Sequence, residues 1–183
     1  MGQLDNKIAI VTGAGGGIGG AIAVRLAREG AKIAVADIDG ETAKSRAAEI
    51  TRQGGQSFSV VADVTRKISV EQMVQAALDR WGRIDILVNV AGGAQVKPVI
   101  EVSETEWDHI INMNLKSVFL CSQAVLPAMM KQHYGKIVSI SSIYGFTGNA
   151  TRASYAAAKA GVAVFTKSLA LEVVSQGINV NAV

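Results

Sequence analysis

One cysteine, two prolines and nine aromatic residues are all that this chain of 183 carries of those types, and its charges form no run of one sign. With Cys121 alone no intrachain disulfide can form, and a single Cys among apolar neighbours is expected to be quietly buried. His109 and His133 lack ligand spacing to each other or to Cys121, so no metal site is expected. The 18 Lys+Arg and 15 Asp+Glu are spread along the sequence and leave a net charge of +3. Without a basic stripe or interleaved aromatics, nucleic acid is not an expected partner. Apolar stretches are cut by glycine or charge well before the ~18 residues of a membrane span. The first of them, Ile8 to Val11, is too short for a signal sequence, and the expected location is the cytoplasm.

What is present is a chain long enough for one domain, with 49% hydrophobic residues to build its core. Short β-branched runs alternate with longer helical patterns, which predicts an α/β fold with a parallel sheet covered on both faces. Six strands are expected, at residues 7–12, 32–37, 56–62, 85–89, 136–141 and 178–183. Helices are expected at 18–29, 41–53, 69–81, 104–131 and 153–175, with no repeats or linkers, so residues 1–183 form a single domain. Right-handed crossovers favour a doubly wound, Rossmann-type sheet of order 3-2-1-4-5-6, with its ligand crevice at the carboxyl ends of strands 1 and 4.

The first strand runs into Thr12-Gly13-Ala14-Gly15-Gly16-Gly17-Ile18-Gly19-Gly20, and a helix begins at once. Bare backbone at a helix start suits a pyrophosphate. A G-x-G-x-x-G match at Gly15, Gly17 and Gly20 has little specificity in so glycine-rich a turn. The register Gly13, Gly17 and Gly19 is preferred: Gly13 ends the strand, Gly17 lets the phosphates approach, and Gly19 packs the helix on the sheet, with Ile18 between them as a further cofactor-binding residue. Asp37 closes the second strand eighteen residues beyond Gly19, where a carboxylate accepts both ribose hydroxyls of NAD and repels a 2′-phosphate. NAD is thus expected over NADP. No Arg or Lys lies inside the turn, the nearest being Arg25. Asp39 competes with Asp37, but alternation turns it away, as a solvated turn residue. Asp63 and Val64, after the third strand, suit the adenine edge, although Asp63 fits helix capping equally well. Asn89, Ala91 and Gly92 follow the fourth strand as further cofactor contacts.

Tyr155 and Lys159 stand at i and i+4, on one helix face, thirteen residues beyond Ser142. An ammonium near a phenol favours the phenolate, and a base is what an alcohol needs as its hydride leaves. Ser141 rivals Ser142, and Asn112 rivals Asn114.

Together these residues resemble the short-chain dehydrogenase/reductase family, in its single-domain branch marked by T-G-x-x-x-G-x-G and Y-x-x-x-K. The resemblance covers the entire chain, through Thr12 to Gly19, Asp63, Asn89 to Gly92, Ser142, and Tyr155 with Lys159. Val90 departs from it, where the family usually repeats Asn. The resemblance implies a catalytic tetrad at Asn114, Ser142, Tyr155 and Lys159, and its spacing selects Ser142 over Ser141. Tyr155 is then the general acid/base and Ser142 aligns the substrate oxygen. Lys159 lowers the Tyr155 pKa and binds the nicotinamide ribose, and the Asn114 backbone holds a water linking Lys159 to solvent. The resemblance also implies dimers or tetramers built on the helices at 104–131 and 153–175. The latter is apolar nearly all round, more than one sheet can cover. Relatives continue past position 183 through a Pro-Gly turn, a mobile substrate-covering segment, a helix and a seventh strand, so the ending is read as that of an incomplete sequence.

The loops at 93–102 and 143–152 are expected to border the substrate with Gln95, Val96, Ile143, Tyr144, Phe146 and Asn149. A secondary alcohol or ketone of modest size is implied, with Lys97 as the one cation able to grip a carboxylate. The expected activity is NAD-dependent alcohol oxidation or ketone reduction. The alternatives are NADPH-dependent reduction of 3-oxoacyl thioesters, against which Asp37 counts, and an NAD-binding protein without catalysis.

Overall fold

All five residues of strand β1 (Ile8–Thr12) are buried, as befits the centre of a sheet covered on both faces. The computed structural model describes residues 2–183 and places five further parallel strands around β1. These are β2 (Lys32–Asp37), β3 (Ser57–Val61), β4 (Ile86–Asn89), β5 (Gly135–Ser139) and β6 (Ile178–Ala182). Their order is β3-β2-β1-β4-β5-β6, the doubly wound arrangement expected from the sequence. Two apolar layers flank the sheet, because alternate side chains of each strand point to opposite faces. Ile10, Leu87 and Ile137 pack with α3 (Lys67–Trp81), α5 (Ser117–Lys131) and α7 (Ala153–Val173) on one face. Ala9, Val11, Ile33 and Val35 pack with α1 (Gly17–Arg28) and α2 (Gly40–Arg52) on the other.

The helix expected at 104–131 is interrupted. It consists of α4 (Glu104–Ile111), a π-helical stretch at Asn112–Lys116 and then α5. Hydrophobic periodicity is blind to a π-turn, which adds one residue without a composition signature. The loop at 143–152 also contains a short helix, α6 (Tyr144–Thr147). Gly145 seats it on α7: a Cβ there would stand 2.8 Å from the backbone of Lys159 and Ala160.

The fifth strand ends at Ser139, two residues short of the expected limit, so Ser141 and Ser142 sit beyond the pleat. At the opposite end of the sheet, Asp85 is fully buried, accepting from the Ile8 N–H at 2.9 Å and from Arg83. That pair anchors β4 to β1 away from the crevice. Cys121 is buried in the α5 layer, where desolvation raises its thiol to about 12, so it is inert. No described helix is long and apolar enough to cross a membrane.

Candidate active site

A cleft of about 850 Å³ opens at the carboxyl ends of β1, β2 and β4. Gly13, Gly16, Gly17, Ile18 and Gly19 form its floor, with Asp37 and Ile38 at one end. Gly13 has a φ of +64°, and a Cβ on it would meet the Ala91 backbone at 3.0 Å, so the turn is open only to glycine. Gly19 belongs to the turn for a different reason from the one expected. Its Cβ would stand 2.2 Å from the Gly13 carbonyl oxygen, so the helix packs on its own turn rather than on the sheet. Around Gly16 and Gly17 the space is empty, leaving the amino end of α1 accessible to an anion. Residues at this floor therefore fit a dinucleotide diphosphate.

Asp37 is half-buried and accepts from the Gly15 N–H at 2.9 Å and the Asp39 N–H at 3.1 Å. A carboxylate has about four acceptor directions, so ribose hydroxyls can still be met. Gly15 belongs to the G-x-G-x-x-G register that carries little specificity in the sequence. Its Cβ would stand 2.3 Å from Thr42 Oγ1 and 2.9 Å from Asp37 Oδ2. Asp39 is more than a solvated turn residue: its carboxylate caps α2 by accepting from the Glu41 and Thr42 N–H groups. The cation near the turn is not Arg25, which pairs with Glu29, but Arg46, whose guanidinium covers Gly20.

Asp63, Val64 and Thr65 form the far wall of the cleft. Asp63 does not cap α3, whose N-cap is Arg66. It instead closes an Asx-type turn, accepting from the Thr65 N–H at 2.9 Å and hydroxyl at 2.6 Å, and the Thr65 hydroxyl is the first cause of its lowered pKa. Val90, Ala91 and Gly92 line the cleft. Asn89 ends β4 as a buried residue whose amide nitrogen donates to Ser139 Oγ at 3.1 Å, tying β4 to β5, while its Oδ1 has no partner. Thr12 was passed over as a site residue, yet its hydroxyl accepts from the Val90 and Ala91 N–H groups and fixes that wall against β1. His109, Asn112 and Met113 complete the cleft. Sequence spacing weighed His109 only as a metal ligand and Asn112 only as a rival, and their position depends on how α4 crosses the crevice.

Asn114 lies in the π-helical stretch and is fully buried. Its side chain accepts from the Gly93 N–H at 3.3 Å and donates to the carbonyls of Gly93 at 2.8 Å and Ile110 at 3.0 Å. The side chain is thereby committed to holding the loop after β4. A Cβ on Gly92 would stand 2.6 Å from Asn114 Oδ1 and 3.8 Å from Lys159 Nζ, so these three residues are contiguous.

Lys159 is buried and donates to the Ile140 carbonyl at 2.7 Å, with Nζ 5.7 Å from the centroid of the Tyr155 ring. Ser141 and Ser142 have separate tasks. The Ser141 hydroxyl is buried and donates to the Lys159 carbonyl at 3.0 Å, whereas Ser142 Oγ accepts from the Tyr144 N–H at 3.2 Å and keeps its own proton free to donate. Lys97, the expected carboxylate grip, is spent on Glu106, both of whose oxygens it meets at 2.9 Å.

Burial pushes Lys159 down to about 8, from 10.5. Because the folded value lies below the unfolded one, the unfolded chain holds more protons between about pH 8 and 10.5, and stability rises with pH across that window. Below it the penalty is complete. The cofactor-free protein is expected to gain about 2 kcal/mol over Lys159→Met between about pH 8 and pH 10. Urea unfolding of both proteins at each pH measures this, and parallel profiles would refute it.

A parallel sheet of this order, with a glycine turn at a helix start and an acid closing β2, defines a dinucleotide-binding α/β protein. The sequence model described as short chain dehydrogenase matches residues 7–183, and the chain belongs to that family of oxidoreductases. It is 42% identical to the 3-oxoacyl-[acyl-carrier-protein] reductase of Synechocystis sp., covering 100% of this chain and 74% of that one. It is 41% identical to (2S)-[(R)-hydroxy(phenyl)methyl]succinyl-CoA dehydrogenase subunit BbsD of Thauera aromatica, over 98% of this chain and 72% of that one. Among solved structures, NAD+-bound xylitol dehydrogenase superposes with a TM-score of 0.95 at 34% identity, over 98% of this chain and 70% of that one.

Proposed function

We propose that the chain moves a hydride between a nicotinamide dinucleotide and the 3-carbon of a 3-oxoacyl thioester, with Tyr155 as proton donor in reduction and acceptor in oxidation. The observation that carries this reading is Tyr155 and Lys159 on one stretch of α7, docked against the 140–145 segment that bears Ser142. The names of the relatives from Synechocystis and Thauera support a thioester over the simple secondary alcohol expected from sequence. Gly13, Gly17, Ile18, Gly19, Asp37, Asp63, Val64, Ala91 and Gly92 hold the dinucleotide, which when bound supplies or receives the hydride. Ser142 donates to the carbonyl oxygen, and Tyr155 gives that oxygen its proton. Lys159 spends one of three N–H donors on Ile140, which leaves two for a ribose and for Tyr155. Reduction of acetoacetyl-CoA, followed by loss of cofactor absorbance, tests the proposal.

Asp37 supports NAD(H) as the cofactor. Asp37→Ser is expected to raise the preference for NADPH over NADH by about a hundredfold in kcat/KM, since a carboxylate facing a phosphate costs several kcal/mol. An unchanged ratio would remove Asp37 from the selection.

The NAD+-bound xylitol dehydrogenase structure supports a second reading, NAD-dependent oxidation of a secondary alcohol. Alcohol oxidation without acetoacetyl-CoA reduction would favour it, and NAD binding without any turnover would favour a non-catalytic protein. A cytoplasmic homo-oligomer is part of the proposal. Val164 and Leu171 on α7 and Val174 just beyond it, at 62–79% exposure, are apolar and uncovered, with Phe119 and Met130 exposed on α5. Elution as a monomer at micromolar concentration would contradict the assembly.

A further inference from the structure

We propose that the cavity between the loop after β4 and α4 seats the amide-bearing arm through which a thioester substrate is carried, an inference that rests on the thioester reading above. The cavity has a volume of about 440 Å³ and lies outside the dinucleotide floor. It shares His109 and Met113 with the cofactor cleft, so the two spaces adjoin along α4. Met113 also marks which end of the cleft is involved. Its Cε lies 2.8 Å from where a Cβ on Gly93 would stand, and Gly93 is bonded to Asn114, the neighbour of Gly92 and Lys159. The cavity therefore flanks the end of the cleft where the proposed proton transfer takes place.

Its chemistry is one-sided. Gln95 Oε1 is buried and accepts no hydrogen bond, a state that costs free energy until a donor arrives. Glu106, another acceptor on the wall, is satisfied by the Ser103 N–H and by Lys97, and these contacts draw its carboxyl down to about 2. Thr105 and His109 complete the polar part of the wall, and of these lining residues Gln95 is the one with a buried polar atom left without a partner. Ala94, Ile110 and Met113 supply the apolar remainder of the wall. A secondary amide between methylenes matches this surface: its N–H meets Gln95 Oε1 and its carbon chain meets the apolar side chains. The loop is also braced, because the Lys97 N–H donates to the Thr151 carbonyl at 2.8 Å, across to the loop that begins α7. A wall so held can orient an arm whose far end must reach Tyr155.

The test compares substrates with and without the arm. In NADH-saturated protein, Gln95→Leu is expected to raise KM for acetoacetyl-CoA about fivefold, the loss of one neutral hydrogen bond, with kcat unchanged. KM for ethyl acetoacetate, which has no arm, stays as in the parent, and Gln95→Glu, which keeps an acceptor, restores the thioester KM. Equal effects on both substrates, or none, would overturn the subsite. Titration with pantetheine, monitored by NMR, separates this inference from the reading beneath it. Pantetheine binding lost in Gln95→Leu supports the subsite even if acetoacetyl-CoA is not reduced, in which case the thioester activity alone fails. Equal pantetheine binding, or none to the parent protein, counts against the subsite whatever is turned over.

Discussion

Tyr155→Phe is expected to lower kcat by roughly a thousandfold or more while leaving the dissociation constant for NAD(H) within about twofold. The substitution removes one oxygen and its proton and nothing else. The ring keeps its packing beside Lys159, whose Nζ lies 5.7 Å from the ring centroid, and the Lys159 bond to Ile140 does not involve the phenol. In the proposed site cofactor binding draws on the glycine floor and Asp37, on other elements, so it is expected to hold. Fluorescence titration with NADH alongside steady-state rates separates the two quantities. Turnover surviving in the variant would pass the acid/base role to another group, and loss of NADH binding would show that Tyr155 is structural.

Gly19→Ala should produce the opposite signature, with binding lost before chemistry is ever tested. The added methyl would stand 2.2 Å from the Gly13 carbonyl oxygen and 2.7 Å from its carbon. Those are backbone atoms in a turn already pinned from both sides. Gly13 is held against Ala91, and Ala14 donates to the Ala36 carbonyl at 3.0 Å. With no flexible side chain to yield, either α1 tilts or the turn opens, at about 1–3 kcal/mol. We expect a lower unfolding midpoint and at least about a tenfold weaker NADH affinity, by denaturant titration and by fluorescence. The comparison is Gly16→Ala, where the Cβ meets empty space and folding stability should hold. Equal behaviour of the two variants would contradict the packing argument.

The strands were legible because a parallel sheet writes itself as β-branched runs, and all six fall within a residue or two of their expected limits. The order followed from crossover handedness and precedent rather than from any residue. At the site, what the sequence carried well was local: the glycine turn, Asp37 at the end of β2, and the four-residue spacing of Tyr155 and Lys159. What it carried poorly depends on three-dimensional partners. Asn89 ties β4 to β5 through Ser139, fifty positions away, which no local pattern signals, whereas the turn that Asp63 closes on Thr65 is local and competes with the capping role weighed for it. Lys97 looked free because Glu106, nine positions away, becomes adjacent only once α4 is placed. His109 and Met113 reach the cleft by the same crossing. Arg46 stands beside the glycine turn only because α2 packs along α1, with Gly20 providing the room.

The π-helical stretch at 112–116 acts as a phase shifter between two jobs on one rod. An ordinary helix advances 100° per residue, so one surplus position rotates everything downstream by about that angle. Upstream of it, Ile110 turns inward while His109 addresses the cleft, together with Asn112 and Met113 at the start of the stretch itself; downstream, Leu120, Cys121, Val125 and Met129 meet the sheet. A single apolar stripe running unbroken through both segments would have to compromise one of these alignments. The insertion lets the cleft wall and the core seam be set independently, so sequence change in α4 could retune the ligand side without dragging α5 out of register.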